Sequence, residues 1–331
     1  MSAAAHSRPT RADVARLAGV STATVSYVLN DVPNKVSPET AQRVKNAAAM
    51  MGYRSNAFAR ALKTGTSKTF GVVVSDFSNP YFASLNDEIE AAAAEHGYSV
   101  IFANSRGEAQ IERTCIAQLQ DRNVDVIFTS SAMSNTELAS LDHRRCRLIF
   151  LDHPVPVHGV KCVSTDFAAA TETMTNHLLQ HGHTNIVLLY GGSDMTDARI
   201  IGWERAHQAA ELPTGRVLSS GFSRQGGYEA TMTLLDSDNP PTALFAASDL
   251  EALGALHALH KRGVRVPDDI ALVSFDGSVD TLFSQPELTT MHQDTHAIAH
   301  YAVQAALNPN SSPDAKLIES KLMIRESCGC K

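Results

Sequence analysis

Thr10-Arg-Ala-Asp13-Val-Ala-Arg-Leu-Ala18-Gly19-Val-Ser21-Thr-Ala-Thr-Val-Ser26-Tyr27-Val-Leu-Asn30 decides the fold of the amino-terminal part of the chain. Thr10 stands where an N-cap is needed for a helix over Arg11–Ala18. Asp13, three residues on, returns a hydrogen bond to the cap and faces the positive end of the dipole. Gly19 stops that helix, and Ser21 caps a second over Thr22–Leu29 after a turn of about three residues. Val14, Leu17, Val20, Val25, Val28 and Leu29 recur at helical spacing, and small Ala18 and Gly19 let the two helices meet closely, which is a helix-turn-helix pattern.

A third helix opens with Ser37-Pro38-Glu39-Thr40, a cap followed by proline at the first helical position, and runs to Met51 before Gly52. Val44, Ala47, Ala48 and Met51 form the face that closes a small core. In such a unit the second helix enters the major groove with its N-terminal residues at the base edges. Here these are Thr22, Ala23, Ser26 and Tyr27, with Thr24 placed for a phosphate. Beyond Tyr53, the segment Ser55–Lys63 is helix-compatible but too short to be stable alone, as expected of a hinge that folds on DNA. Leu62, flanked by Arg60 and Lys63, is placed to wedge into a minor-groove step while the cations hold phosphates. Thr10, Ser21, Asn30, Tyr53, Asn56 and Ala57 complete the set expected to face DNA. Residues 1–66 carry nine Lys/Arg against three acids, a balance of +6, within a chain of net charge −7. A basic head on an acidic body is the footprint of a phosphate-backbone binder.

From Thr69 onward, short β-branched runs alternate with amphipathic helices: Phe70–Val74, Ser99–Ala103, Val126–Thr129 and Leu148–Leu151, then Ile186–Tyr190, Ala243–Ala247 and Ala271–Phe275. Two such sets predict two lobes, each a parallel sheet flanked by helices. Gly97, Gly182 and Gly263 each separate a helix from a strand. Ligands of open α/β sheets bind beyond the carboxyl ends of the strands, where Asp76, Ser130, Asp152, Asp249 and Asp276 stand, with Asn79 and Arg199 in the segments that follow. Carboxylates and Arg make charge-assisted hydrogen bonds to hydroxyl-rich ligands, and Tyr81, Phe82, Trp203 and Phe222 offer ring faces to a sugar.

The motifs Asp13-Val-Ala-Arg-Leu-Ala-Gly-Val-Ser21, Ala23-Thr-Val-Ser26, Val28-Leu-Asn30, Asn56-Ala57…Ala59-Arg60…Leu62-Lys-Thr-Gly65, Asn79-Pro-Tyr-Phe82, Ala247-Ser-Asp249, Val266-Pro-Asp-Asp-Ile270, Phe275-Asp-Gly277 and Ile324-Arg-Glu-Ser-Cys328 together resemble the LacI/GalR family of repressors. The resemblance covers nearly the whole chain. It implies an all-α helix-turn-helix headpiece (1–54), a hinge helix and linker (55–66), and a two-lobed α/β body like the periplasmic sugar-binding proteins. The expected N-lobe takes 67–165 plus 291–318, and the C-lobe 166–290 plus 319–331. The implied effector-binding set is Asn79, Tyr81, Phe82, Asp152, His153, Arg199, Phe222, Ser248, Asp249, Asp276 and Gln293. His153 stands where the family's pentose-binding pattern has Arg, and Ser248 where it has Asn. Tyr27 replaces the usual Arg of the recognition helix, exchanging a bidentate guanine contact for a single phenolic hydrogen bond. Ser55 replaces the usual Pro of the hinge.

The implied function is a transcriptional repressor that binds a palindromic DNA operator as a homodimer and responds to a small molecule, a pentose such as ribose first and a purine or nucleoside second. A free sugar-binding protein without a DNA role is the reading from another class. The basic headpiece and the absence of an apolar leader in Met1–Thr10 oppose it. With no span of bilayer length, the expected location is cytoplasmic, at the nucleoid when DNA-bound, and no membrane partner is expected. An enzyme is not expected: Gly191-Gly-Ser-Asp194 lacks the third glycine of a dinucleotide fingerprint, no Walker A sequence appears, and no Ser or Cys sits in a nucleophile elbow. No cofactor or metal is expected. Cys328-Gly-Cys330 has the form of a metal or redox pair, yet no second ligand pair has matching spacing, and His296 and His300 read as an exposed helix face. Five scattered cysteines suit a reducing compartment.

Overall fold

The computed structural model describes residues 9–30, 32–53, 65–141, 146–154, 156–157 and 159–330. The expected hinge contacts Asn56, Ala57, Arg60, Leu62 and Lys63 lie outside the described residues. The chain divides into two compact units, 1–67 and 68–331.

In the first unit, α1 (Arg11–Ala18), α2 (Thr22–Leu29) and α3 (Pro38–Met51) start and stop where their punctuation dictates. Thr10 and Asp13 form a complete capping box: the Thr10 hydroxyl accepts from the Asp13 N–H at 3.3 Å, and an Asp13 carboxylate oxygen accepts from the Thr10 N–H at 2.9 Å. Gly19 takes φ +66°, a left-handed turn that a β-carbon would strain, and so delivers Ser21 to cap α2. Val14, Val25 and Val44, one from each helix, are fully buried at the centre of this core, with Tyr53 packed at its edge.

The second unit holds two six-stranded sheets. The first contains β1 (Thr69–Val74), β2 (Ser99–Asn104), β3 (Val126–Ser130), β4 (Arg147–Leu151), β5 (Lys161–Thr165) and β11 (Ala315–Ile318), in the order β11-β5-β4-β3-β1-β2, all parallel. The second contains β6 (Ile186–Tyr190), β7 (Arg216–Ser219), β8 (Ala243–Ala246), β9 (Ala271–Asp276), β10 (Thr289–His292) and β12 (Lys321–Met323), in the order β12-β10-β9-β8-β6-β7, parallel except for β12. Strand periodicity gives each sheet two buried faces. On the first sheet, Phe70, Val72, Phe128 and Leu151 pack beneath α4 (Pro80–Glu95) and α11 (Thr295–Leu307), while Val73, Ile127 and Phe150 face α5 (Ala109–Asp121) and the short α6 (Asn135–Ala139). On the second, Leu188, Phe245 and Val273 lie under α7 (Phe167–Gln180) and α8 (Ala198–Ala209). Leu189, Ala246 and Leu272 lie under α9 (Arg224–Leu235) and α10 (Asp249–Lys261).

The chain crosses between sheets after Thr165, His292 and Ile318. Met291 and His292, which the sequence reading placed with the N-lobe, hydrogen-bond into the second sheet between β9 and β12. Two bonds tie the crossings together: the Thr165 hydroxyl donates to Gln293 Oε1 at 2.6 Å, and the Asp166 N–H donates to the Ile318 carbonyl at 2.9 Å. Among the described residues, no helix is long and apolar enough to cross a membrane.

Candidate functional site

In the headpiece, α2 turns Val25 and Val28 inward and leaves Thr22, Ala23 and Tyr27 exposed on the opposite face. That face carries the expected base-reading residues. Thr24 is partly tied up, since its N–H and its hydroxyl both meet the Ser21 hydroxyl, at 3.1 and 2.9 Å. Asn30 folds back on the helix, donating to the Ser26 carbonyl at 2.7 Å and to its hydroxyl at 3.2 Å. Thr10 and Ser21 therefore act first as caps, and Ser26 is pre-oriented by Asn30.

In the body, both sheets reverse their strand order between the first and third strands of each set, β1/β3 and β6/β8, and their carboxyl ends there define the crevice. From the first sheet comes Asp152, just past β4 with φ +59°, whose carboxylate accepts from the Tyr81 hydroxyl at 3.1 Å and the Ser130 hydroxyl at 2.7 Å. Burial raises its pKa against the pull of Ser130 and Arg199. Asn79 spends its side-chain oxygen on the Tyr81 N–H, capping α4, and Phe82 is buried in the core beneath it. His153 turns toward α6, where its Nε2 meets Asn135 Oδ1 at 2.9 Å.

From the second sheet comes Arg199, in the first turn of α8, with its guanidinium 3.7 Å above the Phe167 ring and within 6 Å of the Phe275 and Phe222 rings. Burial opposes its charge, but Asp197, Asp276 and Asp152 surround it and raise its pKa. Its Nε, although buried, has no hydrogen-bond partner among the described residues. Asp276, with φ +107°, ends β9; burial and the neighbouring Asp249 charge push its carboxyl well above the usual range, while Gln293 donates to it at 2.8 Å. Gln293 thus has both amide ends engaged, joining Asp276 to Thr165. Phe222, exposed and at φ +37°, stands edge-on to Tyr190. A β-carbon at Gly191 would come within 2.1 Å of the Phe222 main-chain nitrogen, so only glycine allows this ring its place.

The crevice therefore gathers Tyr81, Asp152, Arg199, Asp276 and Gln293, with Phe222 close by. Trp203, expected to offer a ring face, is instead fully buried, with its Nε1 donating to the Gly215 carbonyl at 3.2 Å. It lies one helical turn beyond Arg199, on the same side of α8, and there it fills the core against the second sheet. Asp249 is also turned away: its carboxylate accepts from the Ser274 and Thr290 hydroxyls and the Ser278 N–H, which leaves it buttressing β9 and β10. Ser248 caps α10 and donates to Glu251 at 2.8 Å.

Glu251 escaped the sequence reading because an acid in the first turn of a helix is unremarkable. It is fully buried, receives hydroxyl hydrogen bonds from Ser220 and Ser248, and feels the Arg199 charge. Burial raises its pKa to about 7 against those partners. The native state then holds a proton that the unfolded chain releases near pH 4.5, so the stability this group contributes is complete below that value and is lost as pH rises through about 7. Thermal melts across this window are expected to show a falling Tm that flattens in Glu251→Gln, which keeps the shape and removes the proton. An equal slope in both proteins contradicts the assignment.

Residues 10–56 match the family described as bacterial regulatory proteins, lacI family, and residues 175–328 match the periplasmic binding protein-like domain. The HTH-type transcriptional repressor PurR of Haemophilus influenzae (strain PittEE) is 31% identical over 329 residues, covering 95% of this chain and 97% of the relative. The crystal structure of the lac repressor dimer bound to operator and the anti-inducer ONPF aligns with a TM-score of 0.88 at 26% identity, covering 97% of this chain and 99% of that one. A LacI family transcriptional regulator from Enterococcus faecium with bound ribose aligns with a TM-score of 0.70 at 28% identity, over 78% of this chain and 98% of that one.

Proposed function

The chain belongs to the lacI family of bacterial regulatory proteins, a DNA-binding repressor and not an enzyme, and we propose that it represses transcription as a homodimer whose operator affinity a pentose sets. One observation carries the effector half of this reading: Arg199, over the Phe167 ring, sits among Asp152, Asp197 and Asp276 with an Nε that has no partner among the described residues. A polyol suits that set, because its hydroxyls donate to carboxylates and accept from the guanidinium at once. The ribose bound in the similar Enterococcus faecium regulator supports the sugar class.

Two headpieces related by twofold symmetry read the two halves of a near-palindromic operator, with Thr22, Ala23 and Tyr27 at the base edges. Leu62 wedges into a minor-groove base step while the cations of Arg60 and Lys63 hold phosphates. Ligand shifts the repressor between two arrangements of its lobes, and the sign of its effect on DNA follows from which arrangement it prefers. Gln293, bonded to Thr165 at one crossing and standing next to another, links two of the connections between the lobes, which supports a role in that change.

The relative named PurR favours a second reading, a purine effector. Thermal shifts with ribose, other pentoses, hexoses, purine bases and nucleosides distinguish the two, since a tight ligand raises Tm by mass action. A shift with ribose or another pentose that disappears in Asp276→Asn supports the proposal. A shift confined to purines transfers the site to the second reading.

A further inference from the structure

The carboxyl-terminal strand β12 is followed by Arg325–Cys330, which returns along the second sheet and over the end of α7. Ser327 fixes this return: its main chain accepts from the Leu272 N–H at 2.9 Å, and its hydroxyl accepts from the Thr289 N–H at 2.9 Å. Cys328 is buried, with its thiol against the Thr289 hydroxyl at 3.1 Å. Gly329 then turns at φ +86° and presents Cys330 to the last turn of α7.

There His177 and the cap residue His181, four apart and so on one side of the helix, point their Nε2 atoms toward the Cys330 sulfur. The separations are 3.1 Å from His181 and 3.8 Å from His177, and the three donor atoms lie within 4.8 Å of one another. A tetrahedral zinc ion with Zn–N of about 2.0–2.1 Å and Zn–S of about 2.3 Å sets nitrogen and sulfur about 3.5 Å apart. The two distances straddle that value. A thiol–imidazole hydrogen bond accounts for His181, while His177, which also meets the Cys328 thiol, brings a second imidazole toward the same Cys330 sulfur.

We propose that His177, His181 and Cys330 form a zinc site that fastens the carboxyl-terminal segment to α7. The site is graded from inside to outside: His177 is buried, Cys330 half-buried and His181 exposed. Its open side meets a pocket that Asp268 and Glu326 also line, so water or a carboxylate completes the coordination. Two imidazoles and one thiolate suit a borderline-soft divalent ion and discriminate against magnesium and calcium, which take oxygen ligands. Binding exchanges the thiol proton for the metal, with no change in oxidation state.

The test uses the full chain, stripped with chelator and kept reduced, and titrated with Co2+ as a spectroscopic substitute for zinc. The expected result is a thiolate-to-cobalt charge-transfer band with four-coordinate d–d bands, saturating at one equivalent and erased by added zinc. Cys330→Ser should remove the charge-transfer band, while Cys328→Ser should retain it. The exposed position makes His181→Gln a variant that folds, and it should weaken zinc binding by more than about 100-fold, the upper end of what loss of a supporting contact alone costs. Zinc should raise Tm in the parent protein and not in Cys330→Ser. A cobalt spectrum without the charge-transfer band, or one unchanged by Cys330→Ser and His181→Gln, overturns the proposal. So does a Cys328–Cys330 disulfide that persists under reductant and leaves no cobalt bands.

Discussion

Arg199→Ala removes the ligand response while leaving operator binding within about twofold of the parent, a change well inside the 1.4 kcal/mol that makes a factor of ten. The guanidinium is the cation at the meeting point of Asp152, Asp197 and Asp276, with its carbon 3.7 Å from the centre of the Phe167 ring. Two charge-assisted hydrogen bonds to a ligand, each about 1.5–3 kcal/mol, set the loss at about 3 kcal/mol or more, which exceeds about 100-fold in Kd. Removing the cation also leaves the three acids facing one another. Burial already raises Asp152 and Asp276, so protonation absorbs part of that repulsion and the fold persists with a lowered Tm. Isothermal titration with the ligand and anisotropy with operator DNA, on the same preparation, separate the two effects. Retained ligand affinity would move the effector away from this crevice.

Deleting residues 1–67 is expected to abolish specific operator binding, a loss of at least about 1,000-fold, while the remaining body keeps its ligand affinity. The boundary between the compact units falls there, and each unit has its own core: Val14, Val25 and Val44 in the headpiece, and the faces of two sheets in the body. The body also loses the +6 balance that draws the chain to phosphate and keeps only a net −13. A gel-shift comparison of the two chains, with ligand melts of both, gives the result. Specific DNA binding by the shortened chain would contradict the division of labour between the units.

Much of this was legible because it is local. Thr10, Ser21 and Ser37 announce their helices through side-chain caps that need no tertiary partner, and the structure has all three in place. Most strands announced themselves as apolar runs. Lys161–Thr165, Arg216–Ser219, Ala315–Ile318 and Lys321–Met323 did not, because these short strands carry too few apolar residues for a pattern. Side-chain direction was the harder part. Trp203 and Arg199 lie one helical turn apart on α8, yet one ring fills the core while the guanidinium lines the crevice, and residue type alone does not separate them. Asp249 and Asp276 both end up near β9, but the hydroxyls of Ser274 and Thr290 claim the first. Glu251 and the convergence of His177, His181 and Cys330 depend on burial and on contacts about 150 residues apart in sequence, which periodicity cannot reveal.

Ligand-controlled operator binding is tested most directly by the affinity of the purified full chain for its selected operator, measured by anisotropy across a salt series with and without the ligand found by melting. The expected result is twofold-symmetric protection of the site, affinity that falls steeply with salt, and a ligand-induced change of at least about fivefold, the lower end of typical allosteric coupling. Specific binding with the same affinity in saturating ligand, or a ligand effect that survives Arg199→Ala, would contradict it.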